Sequence, residues 1–289
     1  MAAPPPGPDG LDAGARPPAV RGELLRLATR GWGEEGRPLA VLVHGVTASS
    51  ATFWRVGPWF AERGWRAVAV DLRGHGESPR MSGGEGLADL AADVHETVAP
   101  LLAPGEHIDV LLGHSLGALT ALGLCAERPG LVRSLVLEEP PDSKGGATGF
   151  EGVTREVEEG IARTKEDPGA ALRDARAENP SWSDEDVANS VAGGLACDAG
   201  PVAALVRGGL RGLDLPAKIG ALEMPTLLVL GSPDRGSYML DPERSAVAGA
   251  LKHGVVETFE AGHSVHREDF EGYVRLLGRW LGRGETLRG

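Results

Sequence analysis

Ile108-Asp109-Val110-Leu111-Leu112-Gly113-His114-Ser115-Leu116-Gly117 carries an apolar stretch of strand length straight into a G-x-S-x-G pentapeptide. A helix-like pattern opens at Leu116 and continues to Arg128. Strand, tight turn and helix form the context in which this pentapeptide holds a serine in a strained turn with its hydroxyl exposed. The flanking glycines let neighbouring backbone pack closely. In a chain with 43 glycines and 14 serines, about 0.3 such pentapeptides arise by chance, so the motif alone is weak. Its weight comes from what surrounds it.

Working outward, four more apolar runs of similar length lie between turn residues: Leu39 to Val43, Trp65 to Asp71, Leu131 to Leu137 and Thr226 to Leu230. Uninterrupted runs this short suit strands buried on both faces, as in a parallel sheet. Val255 to Phe259 is the expected last strand, and the alternating Gly22 to Thr29 an antiparallel edge strand. Helical periodicity falls between them at Trp54 to Arg63, Leu87 to Leu102, Leu116 to Arg128 and Glu268 to Leu281. The alternation predicts an open α/β sheet with right-handed crossovers. One stretch breaks it. From Asp142 to about Lys218 there are only charged, helix-like pieces, and Ser183 followed by Asp186 resembles a capping signal. It reads as a helical insertion between two strands of the sheet.

Composition narrows the function. The net charge of −12 argues against a nucleic-acid binder and against electrostatic docking on anionic membrane. No run approaches the ~18 apolar residues of a spanning helix. Cys125 and Cys197 form neither a disulfide framework nor a metal-type spacing. Residues 1–18, with six prolines, read as a disordered tail without the pattern of a secretory signal, and 284–289 as a frayed end. The cytoplasm is the default location. With 4% aromatic residues, any pocket should be lined mainly by aliphatic side chains.

A serine hydroxyl needs a base to become a nucleophile. His44, His75 and His263 each lie beside a glycine in a loop position, and His263 follows the expected last strand, 148 residues after Ser115. That places it at the carboxyl edge of the sheet, where open α/β folds bind ligands. His266 competes but falls on the first turn of the last helix. The base needs an orienting carboxylate. Asp234, just past the strand ending at Leu230, gives the chain order Ser115, Asp234, His263. Asp241 suits a helix cap, and Glu138 and Glu139 are alternative acids with a structural or pocket-edge role favoured. The Leu116 N–H, at a helix start, and the Val46 N–H, in the loop after Leu39 to Val43, are candidate donors to an oxyanion.

Taken together, His44-Gly45, Asp71-Leu72-Arg73-Gly74-His75-Gly76-Glu77-Ser78, the turn at Ser115, Asp234 and Gly262-His263 resemble the α/β-hydrolase superfamily from about Val20 to Arg283. The resemblance implies a mostly parallel eight-stranded sheet flanked by helices. It assigns residues 19–141 and 219–283 to the core, and 142–218 to an all-helical cap inserted after the sixth strand. It implies Ser115 as nucleophile, His263 as base, Asp234 as acid, and Val46 and Leu116 as oxyanion-hole amides, with no cofactor or metal. His75 is left to a structural loop. The expected activity is hydrolysis of a small-molecule ester or lactone through an acyl-enzyme. Perhydrolase, carbon–carbon hydrolase and thioesterase readings share the same triad pattern, and a non-catalytic ligand-binding member, which a broken triad would favour, is the further alternative. Trp182, Met239 and Phe53 are candidates for lining the substrate pocket.

Overall fold

A computed structural model describes residues 24–143 and 149–286. Seven strands form one sheet among these residues: β1 (Thr29–Trp32), β2 (Leu39–Val43), β3 (Arg66–Val70), β4 (Val110–His114), β5 (Leu135–Glu138), β6 (Thr226–Leu230) and β7 (Gly254–Thr258). Their order across the sheet is β1-β3-β2-β4-β5-β6-β7. All pairs are parallel except β1 with β3.

The helices are α1 (Val56–Ala61), α2 (Leu87–Val98), α3 (Leu116–Glu127), α4 (Gly149–Glu166), α5 (Pro168–Glu178), α6 (Asp184–Leu195), α7 (Ala199–Leu210), α8 (Leu215–Gly220), α9 (Glu243–Ala250), α10 (Val265–Glu268) and α11 (Phe270–Thr286). None of them is long and apolar enough to cross a membrane.

The continuous apolar runs become strands because every residue of β2, β4 and β6 is buried. Alternate side chains feed two cores. Val41, Val43, Leu111, Leu135 and Leu228 pack with α2, α3 and α8 on one face. Ala40, Leu42, Val110, Leu112 and Val229 pack with α1 and α11 on the other.

The sheet departs from expectation at its edge. Seven strands stand among the described residues where eight were expected, and the edge strand begins only at Thr29. Upstream of it, side chains rather than a neighbouring strand take the backbone donors. Leu25 N–H donates to Asp93, Leu27 N–H to the Thr97 hydroxyl and Ala28 N–H to Ser78. The expected tail at residues 1–18 lies outside the described residues. Of 284–289, the first three continue α11 and the rest lie outside.

Helices α4 to α8 lie between β5 and β6, with no strand among the described residues of that stretch. The capping signal at the start of α6 is formed in both directions between Ser183 and Asp186. The Asp186 carboxylate also accepts from Trp54 Nε1 at 2.9 Å and from Arg55 at 2.6 Å, tying the insertion to the core.

Candidate active site

Ser115 sits between β4 and α3 with φ 54 and ψ −117, a conformation that costs a non-glycine residue about 1–3 kcal/mol. Close packing around the turn holds it there. A Cβ on Gly117 would lie 2.1 Å from the Val43 carbonyl oxygen, so only glycine lets α3 start against β2. A Cβ on Gly45 would lie 2.8 Å from His114 Nδ1 and 3.0 Å from Ser115 Cβ, which is how the loop after β2 approaches the serine. His44 pins that loop. Its Nε2 accepts the Leu72 N–H at 3.0 Å, so the proton is on Nδ1 and is donated to the Gly45 carbonyl at 2.7 Å.

Ser115, His263, Val46 and Leu116 line one cavity of about 680 Å³ between the carboxyl ends of the strands and the inserted helices. His263 is fixed on three sides. Its Nδ1 lies 3.1 Å from Glu139 Oε2, its ring meets Tyr238 edge-on at 4.5 Å between centroids, and its carbonyl oxygen accepts His114 Nε2–H at 2.8 Å. The carboxylate leaves His263 Nε2 as the free, basic nitrogen.

The carboxylate paired with His263 is therefore Glu139, whereas the chain order pointed to Asp234. Asp234 is exposed, in the 3-10 turn Pro233–Arg235. Ser232 N–H donates to the Ala261 carbonyl, and Gly236, at φ 95, turns the chain back so that Ser237 and Tyr238, not Asp234, face inward. Fully buried Glu139 accepts Gly231 N–H at 2.6 Å, the Ser237 hydroxyl at 2.8 Å and Tyr238 N–H at 3.1 Å. Its own φ of 47 swings the side chain off the end of β5 toward β6.

The second acid has a different task. Glu138 Oε1 accepts His266 Nδ1–H at 2.8 Å and His266 N–H at 2.9 Å. Burial opposes its charge, but His266 and His114 beside it hold the carboxyl at about 2. His114, Glu138 and His266 bring potential metal-ligand atoms within 4.8 Å of one another. Each takes part in a protein hydrogen bond, His114 to the His263 carbonyl, Glu138 to His266, and His266 also to Thr52. Asp241 accepts from Ser245 at the start of α9, a capping role.

His75 and the Asp71 to Ser78 loop are structural. Asp71 accepts Ser50 N–H and Glu77 N–H, and Arg73 is paired with Asp93. Burial, with His44 adjoining it, pushes the His75 imidazole down to about 3, and burial likewise lowers His44 and His114. These groups are neutral when folded, while the unfolded chain binds protons below pH 6.5. Their contribution to stability is full above that pH and is lost on acidification. His75 alone should cost about 2 kcal/mol at pH 5. Thermal melts should therefore fall clearly from pH 7.5 to pH 5, and a flat series would contradict this account. Burial raises both cysteine thiols to about 12, which leaves neither as a nucleophile at neutral pH.

A profile of the alpha/beta hydrolase family matches residues 40–276. The chain belongs to the alpha/beta hydrolase family. Along 260 residues this alpha/beta hydrolase is 29% identical to N-formylmaleamate deformylase of Pseudomonas putida, covering 86% of this chain and 90% of that one. It is 39% identical over 99 residues to 2-(acetamidomethylene)succinate hydrolase of Mesorhizobium japonicum, spanning only 34% of that relative's length and 34% of its own. The solved structure of N-formylmaleamic acid deformylase from Pseudomonas putida S16 shares the fold, with a TM-score of 0.72 over 86% of this chain and 94% of that chain at 21% identity.

Of the pocket candidates in this alpha/beta hydrolase, Trp182 lines the cavity. Phe53 is buried in the core against His266, and Met239 is buried in the opposite core. Aliphatic Leu119, Val157, Ile161 and Leu205 line much of the wall, in keeping with the low aromatic content. Tyr238, in a loop position that suits pocket lining, does line the cavity, whereas nothing in the sequence singles out His114 beneath His263 or Arg267 in the cavity wall. The one available signal was two successive acids, Glu138-Glu139, closing a buried apolar strand.

Proposed function

We propose that this alpha/beta hydrolase cleaves a carboxylic ester or lactone by two-step acyl transfer, with Ser115 as nucleophile, His263 as base and Glu139 as the acid. The observation that carries the reading is that His263, hydrogen-bonded to Glu139, shares a cavity with the strained Ser115. Glu139 keeps the proton on His263 Nδ1, so Nε2 is free to take the serine proton and return it to the leaving group. Val46 and Leu116 amides are assigned to the developing oxyanion. The positive end of α3 adds to that stabilisation. Residues 142–218 act as the cap over the site, supported by the α4 and α6 side chains in the cavity wall.

A second reading, N-acyl cleavage, is favoured by the deformylase relative matched along most of the chain. The same acyl-enzyme serves both, with a poorer leaving group in the amide case.

The test is a panel of p-nitrophenyl esters, simple lactones and N-formyl amides, with labelling by a serine-reactive phosphonate read by peptide mass spectrometry. Turnover and a phosphonate adduct on Ser115 are expected. An unlabelled Ser115 with turnover of none of the panel would overturn the reading in favour of a non-catalytic binding protein.

A further inference from the structure

Arg267 lies in the wall of the cavity that holds Ser115 and His263, and it is 6% exposed. A buried guanidinium ordinarily has a carboxylate against it, because an unpaired charge away from water is costly. Arg267 has none within salt-bridge distance among the described residues. Its hydrogen bond is Nε–H to the Thr52 hydroxyl at 3.0 Å.

That bond ends a directed chain. Glu138 accepts His266 Nδ1–H, so His266 Nε2 is an acceptor, and Thr52 must donate to it at 2.8 Å. The Thr52 oxygen is then oriented to accept Arg267 Nε–H. On its flat face the guanidinium lies 4.5 Å from the centre of the Trp182 ring. The side chain is thus held by its Nε and by its π-face, and both Nη groups are left over. Trp182 Nε1–H, enclosed beside it, also lacks an acceptor among the described residues. Burial lowers the Arg267 guanidinium to about 10, offset by Asp186 and Glu138, so it stays charged at neutral pH.

We infer that Arg267 is a substrate-specificity residue, whose free Nη groups receive a carboxylate carried by the substrate in addition to the bond that is cleaved. This rests on the hydrolase reading above for the reaction, but not for the binding. A planar carboxylate matches the two-pronged face of a guanidinium, and pre-ordering by Thr52 and Trp182 removes much of the entropy cost of pairing. The cavity wall also carries Glu156, Glu166, Asp167, Asp174 and Glu178, but these are exposed on α4, on α5 and at the junction between them. Water and salt screen them, whereas Arg267 acts from a buried position.

The experiment has a binding arm and a turnover arm. In the first, succinate and neutral succinamide are titrated calorimetrically into Ser115→Ala protein, with and without Arg267→Met. Succinate is expected to bind about 10–100-fold tighter than succinamide, a preference that Arg267→Met removes. Equal binding of the two ligands would overturn the proposal, and because this comparison needs no arginine variant it stands even if Arg267→Met fails to fold. In the second arm, wild type should favour p-nitrophenyl hemisuccinate over p-nitrophenyl butyrate in kcat/KM, chiefly through KM, and Arg267→Lys should keep part of the preference. Preference for the neutral ester would overturn the carboxylate site and leave the hydrolase reading intact. Turnover of neither ester, with succinate preference retained, would uphold the carboxylate site and count against ester cleavage alone.

Discussion

Glu139→Gln is expected to lower kcat for a p-nitrophenyl ester by roughly 10³–10⁴-fold. The Glu139 carboxylate accepts from four donors: Gly231 N–H, the Ser237 hydroxyl, Tyr238 N–H and His263 Nδ1–H. A glutamine amide has one oxygen and one NH₂, so it must turn a donor toward at least one of these. The pairing most easily given up is His263, whose imidazole can shift its proton to Nε2 and lose the free basic nitrogen. The variant should also lose about 1–3 kcal/mol of stability from the mismatched buried donor. Asp234→Asn is the matched control. Because Asp234 is exposed and Glu139 holds the base, its kcat should stay within about twofold of wild type, as for most surface changes. A loss with Asp234→Asn equal to that with Glu139→Gln would refute the assignment.

Ser115→Ala should reduce kcat/KM by about 10⁶-fold, leaving only what binding and the oxyanion amides supply. Alanine keeps the Cβ already present at φ 54, so it adds no clash in the turn. The hydroxyl's loss removes the nucleophile and little else, and the melting temperature should change by no more than a few degrees. Turnover persisting within about tenfold of wild type would mean that the attacking group is water or another side chain, and the acyl-enzyme route would fall.

The sequence was read most faithfully where the signal is repeated along one segment. Leu39–Val43 and Thr226–Leu230 are β2 and β6 to the residue, because a five-residue apolar run has only a two-faced core to enter. The start of α6 follows from Ser183 and Asp186, whose side chains satisfy its first backbone donors locally. The edge strand was less legible. Gly22 to Thr29 alternates as a strand would, yet Asp93, Thr97 and Ser78, remote in the chain, compete for its backbone donors.

The site divides along the same line. The serine turn and a histidine after the last strand could be placed from the chain order, since each sits at the end of a recognisable strand. Glu139 and Asp234 both follow strands, Glu139 directly after β5 and Asp234 in the loop after β6, and chain order favours Asp234. Their difference lies in the turns, with φ 47 at Glu139 carrying the carboxylate inward and the turn closed by Gly236 leaving Asp234 in water.

By itself the sequence determined a two-sided parallel sheet, a serine on a strand-to-helix turn, and a helical insertion between β5 and β6. These depend on hydrophobic period and turn chemistry, which are properties of neighbouring residues. Only the tertiary structure decided which carboxylate pairs with His263, that His114 holds its carbonyl, and that Arg267 reaches the cavity with no carboxylate at salt-bridge distance among the described residues. The contact between His263 and Glu139 joins residues 124 apart in the chain. Such a pairing follows from backbone torsions and competition among distant donors and acceptors, which no local pattern encodes.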